Sequence, residues 1–367
     1  MESPSFMRPS ITVGAALAAL YAAYVLGLVL YRLYFSPLAK FPGPKLAAVS
    51  KWYEFYYDVV LRGQFTFQIQ RMHKKYGPIV RINPFELHIQ DSKYWDDLYT
   101  GHKEYERYAW MSGRFGANTT TSSTVGSHLH AIRRAPLNPM FSKRSITKLE
   151  PLVHEKVELL STGLAAYHGT GRVVCLNDAF NAFAGDVIAS YCFGFSYDQL
   201  RSRDFQVNFH SAYEAQMIGA GVETVAWALT TTVFHLLDSP SSLNKLRTEL
   251  SEAISDPTKI PDSSTLEQLP YLAACVKEGV RISTGVSVRL PRVSPTKPMQ
   301  YKGWVIPPGT PVSMTTLDVL RDEQIFPDPV CFHPERWLDK PKTEDGDSLS
   351  RYFVPFGKGP RMCIGIK

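Results

Sequence analysis

Charged positions vanish from the chain between Ile11 and Tyr31, a run of 21 residues. As an α-helix this run reaches about 30 Å, the thickness of a bilayer's hydrocarbon core. It is apolar on every face, unlike a helix that lays one side on a core, and too long for the apolar part of a cleaved signal. Arg32, Lys40 and Lys45 follow it, against Glu2 and Arg8 before it, so the positive-inside bias places the bulk of the chain in the cytosol. Pro37, Pro42 and Pro44 then predict a stiff, non-helical spacer. The expected organisation is a short tail at 1–10, a membrane anchor at 11–31, a hinge at 32–46 and the main body at 47–367.

Beyond the spacer the apolar spacing turns amphipathic. Phe65, Ile69 and Met72 stand four and three apart and predict a helix over Phe65 to Lys75, stopped by Gly77-Pro78. Ile79 to Ile82 and Glu86 to Ile89 predict two strands about the turn pair Asn83-Pro84. Ser145 to Phe234 is mostly helical in pattern. Ser239-Pro240 predicts a capped helix start, with Leu243, Leu246, Leu250 and Ile254 on one face. Ser264 and Glu267 have capping-box spacing ahead of a helix over Tyr271 to Ser283. After Pro291, Met299 to Ile306 predicts one strand, Pro307-Pro308-Gly309 a turn, and Thr310 to Met314 a second strand. The fold class expected is mainly α with a small β-sheet.

Composition narrows the class further. The chain has 367 residues, 44% hydrophobic and 20% charged, which suffices for a large buried core and excludes disorder. Its net charge of +6 is dispersed, with no basic stripe, so no nucleic-acid partner is expected. The five cysteines, Cys175, Cys192, Cys275, Cys331 and Cys363, are odd in number and scattered, which fits a reduced compartment with one cysteine in chemical use. Asn118-Thr119-Thr120 has the spacing of a glycosylation acceptor, a coincidence in a cytosolic domain.

The chemistry concentrates at the end of the chain, in PFGKGPRMCIG. Its glycines let backbone approach a flat ligand, and Arg361 can neutralise a carboxylate. A lone cysteine without a Cys or His partner suits a single axial thiolate better than a zinc site; a buried inert cysteine on a glycine loop is the bland alternative. Phe356, Gly359, Arg361, Cys363 and Gly365 together form FxxGxRxCxG, which resembles the heme-binding loop of the cytochrome P450 family. Two further segments are similar to that family in the same order. Glu278-Gly279-Val280-Arg281 resembles its ExxR, and Phe332 to Trp337 (FHPERW) resembles its PERF/W segment, which supplies Arg336. An ExxR by itself is usually a solvated helix pair. Ala220 to Thr224 (AGVET) resembles the family's AGx[DE]T. Small residues at 220 and 221 would leave room for dioxygen, and Thr224 could bond or release the carbonyl of Ala220. LHAIRRAPLNPMFSKRSI and IFPDPVCFHPERWL are similar in phrasing to filamentous-fungal members of the trichodiene oxygenase type.

The resemblance implies a cytochrome P450 fold behind one transmembrane helix, and a heme b cofactor whose iron is ligated by Cys363. It implies Thr224 and Glu223 as catalytic residues that manage protons. Arg361, Arg292, His130, Arg134, Phe356, Gly359 and Gly365 would contact the heme, and Glu278, Arg281 and Arg336 would form a buried supporting network. For His130 and Arg134 a basic surface patch is the alternative. The implied activity is hydroxylation or epoxidation of a lipophilic small molecule in fungal secondary metabolism. The implied setting is the endoplasmic reticulum membrane, in contact with lipid, with NADPH-cytochrome P450 reductase as electron donor. Two departures accompany it. After Phe205 to Gln216 the family's lid helices are expected, but Met217 already opens the oxygen-activating helix, and only Ile364 to Lys367 follow Cys363. An inactive, truncated remnant is therefore the competing expectation, and a heme-thiolate isomerase or dehydratase a third.

Overall fold

A computed structural model of the chain describes residues 8–102, 104–113, 120–205, 216–256 and 259–366. Asn118 and Thr119 of the glycosylation pattern lie outside the described residues. The chain forms two compact units. One comprises Met1–Tyr94, Glu104–Tyr108 and Arg289–Thr315; the other comprises Trp95–Lys103, Ala109–Val288 and Thr316–Lys367.

The first unit begins with α1 (Arg8–Leu30), which continues as a π-helical turn over Tyr31–Phe35. Val13–Phe35 is long and apolar enough to cross a membrane, with mean hydropathy 2.2 and none of it buried against protein. The proline spacer that follows is not a free tether. Arg81, almost wholly buried, donates from Nη1 to the Arg32 carbonyl (2.7 Å), while its amide donates to the Pro42 carbonyl (2.7 Å). Arg32 Nη1 in turn donates to the Val49 carbonyl at 2.5 Å. The spacer also ends early, because α2 (Lys45–Val49) starts within it.

Next come α3 (Trp52–Phe55), a second π-helical turn over Tyr56–Val60, and α4 (Phe65–Tyr76). The predicted stripe of α4 is its buried one: Phe65, Ile69 and Met72 pack with Val80 and Ile82, covered by Tyr53 and Tyr57. The sheet has five strands, β1 (Ile79–Arg81), β2 (Leu87–Ile89), β3 (Glu106–Arg107), β4 (Arg292–Val293) and β7 (Pro311–Ser313), in the order β1-β2-β7-β4-β3. Only the β2–β7 pair is parallel. The predicted strand Met299–Ile306 is instead a hairpin, β5 (Met299–Tyr301) and β6 (Trp304–Ile306). Lys302 and Gly303 both take positive φ, 40° and 81°, which reverses the chain after two residues. Arg289 fixes the entry to β4 with ion pairs to Glu54 and Glu86.

The second unit is helical: α5 (Trp95–Tyr99), α6 (Ala109–Ser112), α7 (Ser127–Arg134), α8 (Lys143–Ala165), α9 (Leu176–Phe193), α10 (Gln216–Asp238), α11 (Pro240–Ala253), α12 (Ser263–Leu266), α13 (Pro270–Ser283) and α14 (Thr316–Leu320). Glycine sets two of its contacts. A Cβ on Gly279 of α13 would lie 1.9 Å from Thr232 Oγ1 of α10, so these helices cross at backbone distance. A Cβ on Gly221 would meet Ile188 of α9 at 3.2 Å, so the smallness of Gly221 serves helix packing.

The predicted caps differ from those observed. Asp262, not Ser264, caps α12 by accepting from the Thr265 amide (2.8 Å), and Glu267 pairs with Lys143 instead of closing a box. The start of α13 is satisfied from a distance: Glu249 of α11 accepts the amides of Tyr271 and Leu272, both at 2.7 Å. The Ser239 side chain caps nothing and bonds Ser242 Oγ (3.0 Å), leaving Pro240 to open α11.

Candidate functional site

Within the helical unit, the described residues after Phe353 form no α-helix or strand, only short 3-10 turns at Gly359–Arg361 and Ile364–Ile366, because glycines and prolines at 355, 357, 359 and 360 disfavour longer elements. Gly357 and Gly359 take φ of 67° and 71°. Gly359 also abuts α5, where a Cβ would sit 2.1 Å from the Tyr99 carbonyl oxygen. Any side chain there would push the loop off its seat. Phe356 is half-buried and its carbonyl accepts the Cys363 amide at 2.8 Å, closing the loop on itself.

Cys363 stands at the tip of this closed loop with its side chain exposed. Gly365 lies alongside, where a Cβ would be 3.9 Å from Sγ. Among the described residues no group of three or more metal-ligating side chains occurs. Cys275 makes a contrast: it is buried among Leu236, Leu246 and Tyr271, and burial pushes its thiol up to about 12. Cys275 is thus held as an inert thiol, whereas Cys363 is open to solvent. Exposure alone does not single Cys363 out, since Cys175 and Cys331 are exposed too.

Two predicted arginines anchor the loop to the segment before and within α7. Arg361 Nη2 donates to the Val125 carbonyl (2.6 Å) and Nη1 to that of Thr124. From α7, Arg134 Nη1 donates to the Met362 carbonyl at 2.6 Å and its Nε to Asn138 Oδ1 at 3.3 Å. Burial lowers the Arg134 guanidinium, and the charge of nearby Cys363 opposes that effect. His130, one turn earlier on α7, is buried. The structure therefore brings Cys363, Arg361 and Arg134 together at one loop and spends part of each guanidinium on backbone carbonyls. Arg292 belongs to the other unit, where it is buried on β4 and bonds the Pro291 carbonyl at 3.2 Å.

On α10, Thr224 is exposed and its Oγ1 donates to the Ala220 carbonyl at 2.7 Å. Glu223 and Ala220 are exposed with it. A threonine bonded to the carbonyl one turn back can rotate and hand that carbonyl to water, which loosens the helix locally.

Glu278, Arg281 and Arg336 come together as a buried cluster larger than the motif. Glu278 and Arg281 are fully buried on α13, paired through Arg281 Nη2 and Nε at 2.8 and 2.9 Å. Arg336 Nε donates to Glu278 Oε1 at 2.9 Å. Sequence reasoning missed two more donors to the same carboxylate, the His333 amide (3.0 Å) and the Trp337 indole (2.9 Å). Arg281 spends Nη1 on the carbonyls of Leu320 and Pro329, at 2.8 and 2.7 Å. Burial by itself would raise the Glu278 carboxyl. The hydrogen bonds and charge of Arg281, the His333 amide and the charge of Arg336 outweigh burial and hold it below the usual range.

The donor set at the loop fits a heme. It offers one exposed soft thiolate ligand, cationic side chains beside it, and glycines where backbone must lie close to a flat group. The comparisons agree in class. The family model for cytochrome P450 matches in two stretches, 44–215 and 210–367. The cytochrome P450 monooxygenase sdnE of Sordaria araneosa is 59% identical over 450 positions, covering 95% of this chain and 87% of the relative. The cytochrome P450 monooxygenase oblB of Emericella variicolor is 36% identical, covering 100% and 85%. The tryptophan 6-hydroxylase fscE of Fusarium equiseti is 37% identical, covering 92% and 84%. An alignment of 450 positions is longer than this 367-residue chain, so the relative carries residues with no counterpart here. The match extends through both units and through the loop that bears Cys363, and the chain belongs to the cytochrome P450 family.

Proposed function

We propose that the chain is a heme-thiolate monooxygenase that hydroxylates or epoxidises a lipophilic small molecule, with heme b held through Cys363. The observation that carries this is the exposed Cys363 thiol on a loop closed by the Phe356 carbonyl and tied down by Arg361 and Arg134. When bound, the heme supplies dioxygen activation and transfer of one oxygen atom to substrate. The chain's own residues do the rest. Cys363 ligates as the thiolate, which requires its proton to leave. Arg361 and Arg134 keep the loop in register and offer their remaining N–H groups, with His130, to carboxylates at the heme edge. Thr224 holds its Oγ1 proton in a hydrogen bond to the Ala220 carbonyl and on rotation turns that hydrogen bond toward water, keeping the proton on Oγ1 while the freed carbonyl accepts from water, with the Glu223 carboxylate beside it as a proton source and sink. The Glu278, Arg281 and Arg336 cluster supports the loop's side of the unit and does not react.

α1 would anchor the chain in the endoplasmic reticulum membrane, where NADPH-cytochrome P450 reductase provides electrons. Kinship with fungal enzymes supports a role in secondary metabolism. A second reading, a catalytically silent remnant, is favoured by one observation. The family model matches as two stretches that overlap over 210–215 rather than as one, and an alignment of 450 positions leaves the relative with residues that have no counterpart in this chain. The test is the heme-loaded full chain with reductase in lipid nanodiscs. The monooxygenase reading expects NADPH-dependent oxygen consumption, and Thr224→Ala diverts that oxygen to hydrogen peroxide. A heme-loaded chain that takes no electrons from the reductase establishes the remnant.

A further inference from the structure

The motif around the ligand, FxxGxRxCxG, leaves position 358 open, and this chain puts a lysine there. Lys358 therefore stands inside the turn that the Cys363 amide closes on the Phe356 carbonyl, one residue before the glycine that seats the loop on α5. It is a second cation of the loop beside Arg361, and its charge acts on the thiolate unless something cancels it. Charge and hydrogen bonding around a ligating sulfur are what tune the potential of the metal it holds.

α5 supplies the counter-charge. Trp95, Leu98 and Tyr99 are buried, with Leu98 and Tyr99 three and four residues after Trp95, so one apolar face pins this short helix. Asp97 is exposed, whereas the Asp96 side chain is only 30% exposed and is engaged at both oxygens. Lys358 Nζ donates to Oδ1 at 2.7 Å, and Arg351 Nε donates to Oδ2 at 3.0 Å. Three residues on from Asp96, the Tyr99 carbonyl blocks the place of a Cβ on Gly359. Two successive loop residues are thus held by α5, Lys358 by charge and Gly359 by close packing. Arg351 has a second carboxylate, Asp347, which Nη1 reaches at 3.1 Å. Loss of the Asp96 charge would therefore strand Lys358 and leave Arg351 paired.

A partly exposed ion pair adds little to stability, so the place of this one matters more than its strength. Lysine carries its charge on a flexible four-carbon stem. An ammonium released from Asp96 can swing, and the thiolate is the negative charge its own loop offers. We propose that Asp96 is a positioning residue for the ligand loop: it holds the Lys358 ammonium against α5, keeps that cation off the Cys363 thiolate, and thereby keeps the potential of the bound heme low. This inference deepens the heme-thiolate reading and rests on it.

The test is a double-mutant cycle on the heme-loaded full chain in lipid nanodiscs, comparing wild type, Asp96→Asn, Lys358→Met and the two together by redox titration of the iron. Asp96→Asn should raise the reduction potential when Lys358 is present. In the Lys358→Met background the same substitution should give less than about half that step, because a charge acting alone would give equal steps. Asp96→Glu keeps the carboxylate and should keep the wild-type potential. Melting of each variant should stay within about 4 °C of wild type, as a partly exposed pair allows. Equal steps in the two backgrounds would mean that Asp96 acts through its own charge, and the absence of any step would mean that Lys358 needs no holding; either result overturns the proposal. The reduced, carbon monoxide-bound spectrum of the wild type reads the ligand separately. A thiolate band together with equal steps overturns this proposal alone, whereas a missing band overturns the heme-thiolate reading and this proposal with it.

Discussion

Replacing Glu278 by glutamine tests the buried cluster behind the ligand loop. The carboxylate accepts five hydrogen bonds, two from Arg281 and one each from Arg336, the His333 amide and the Trp337 indole. Glutamine keeps the volume but removes the negative charge and turns one acceptor into a donor facing donors. Two guanidinium groups then lose their counter-charge, Arg281 without solvent to replace it. Removing one partner of a buried ion pair costs about 3–5 kcal/mol. At about 2–4 °C per kcal/mol for a body of this size, the melting transition of the helical unit falls by about 10 °C. The assay is thermal unfolding of the full chain in detergent, followed by circular dichroism, for wild type and Glu278→Gln. The pH dependence adds a sign. Because Glu278 titrates below its ordinary range in the fold, its contribution is complete above that range and is lost as pH falls through the lower, folded value. The wild type should show this acid limb and the variant should not. A variant melting within about 1 °C of wild type, the size of a surface substitution, would refute the idea that the cluster supports the unit.

Three further predictions concern other places. His73 and His88 are buried and bonded ring to ring at 2.8 Å, with His73 Nδ1 against the Gly77 carbonyl and His88 Nε2 against Thr315 Oγ1. Burial brings His73 down to about 4, so the neutral pair stabilises the first unit fully above about 6.5, and about 3 kcal/mol is lost as pH falls toward 4. Urea unfolding at stepped pH should show this slope in wild type and not in a His73→Leu, His88→Leu double variant. Gly279→Ala places a Cβ 1.9 Å from Thr232 Oγ1 and should destabilise the unit by about 1–3 kcal/mol, read in the same melting experiment, with partial rescue by Thr232→Ala. Gly359→Ala drives a Cβ into the Tyr99 carbonyl at a φ of 71°, and heme titration should show weakened uptake together with a lowered melting temperature.

The sequence disclosed what is written locally. The α4 stripe, the membrane-length run and the loop around Cys363 are each contained in a short window, so periodicity or spacing exposes them. Glu278 and Arg281 were visible as a pair for the same reason. Their other partners were not, because the His333 amide and the Trp337 indole reach Glu278 through tertiary folding and leave no periodic trace. The Glu249 cap on α13, the Glu54–Arg289 pair and the His73–His88 contact were hidden in the same way. Locally ambiguous signals were resolved by competition. Asp262 outcompeted Ser264 because a carboxylate at the residue before the turn accepts the Thr265 amide directly. Lys302-Gly303 split one predicted strand because both residues accept positive φ. Gly221 reads from sequence as room for a ligand, and its part in packing α10 on α9 beside Ile188 is a tertiary contact that leaves no local trace.

The central claim is that Cys363 is the axial thiolate of a bound heme, and the absorbance spectrum of the reduced, carbon monoxide-bound full chain tests it most directly. The account predicts the long-wavelength Soret band of thiolate ligation in the wild type, its loss in Cys363→Ser, and its retention in Cys175→Ser and Cys331→Ser, whose thiols are exposed but lie off the ligand loop. A folded, heme-loaded wild type without that band, or a Cys363→Ser variant that keeps it, would contradict the account.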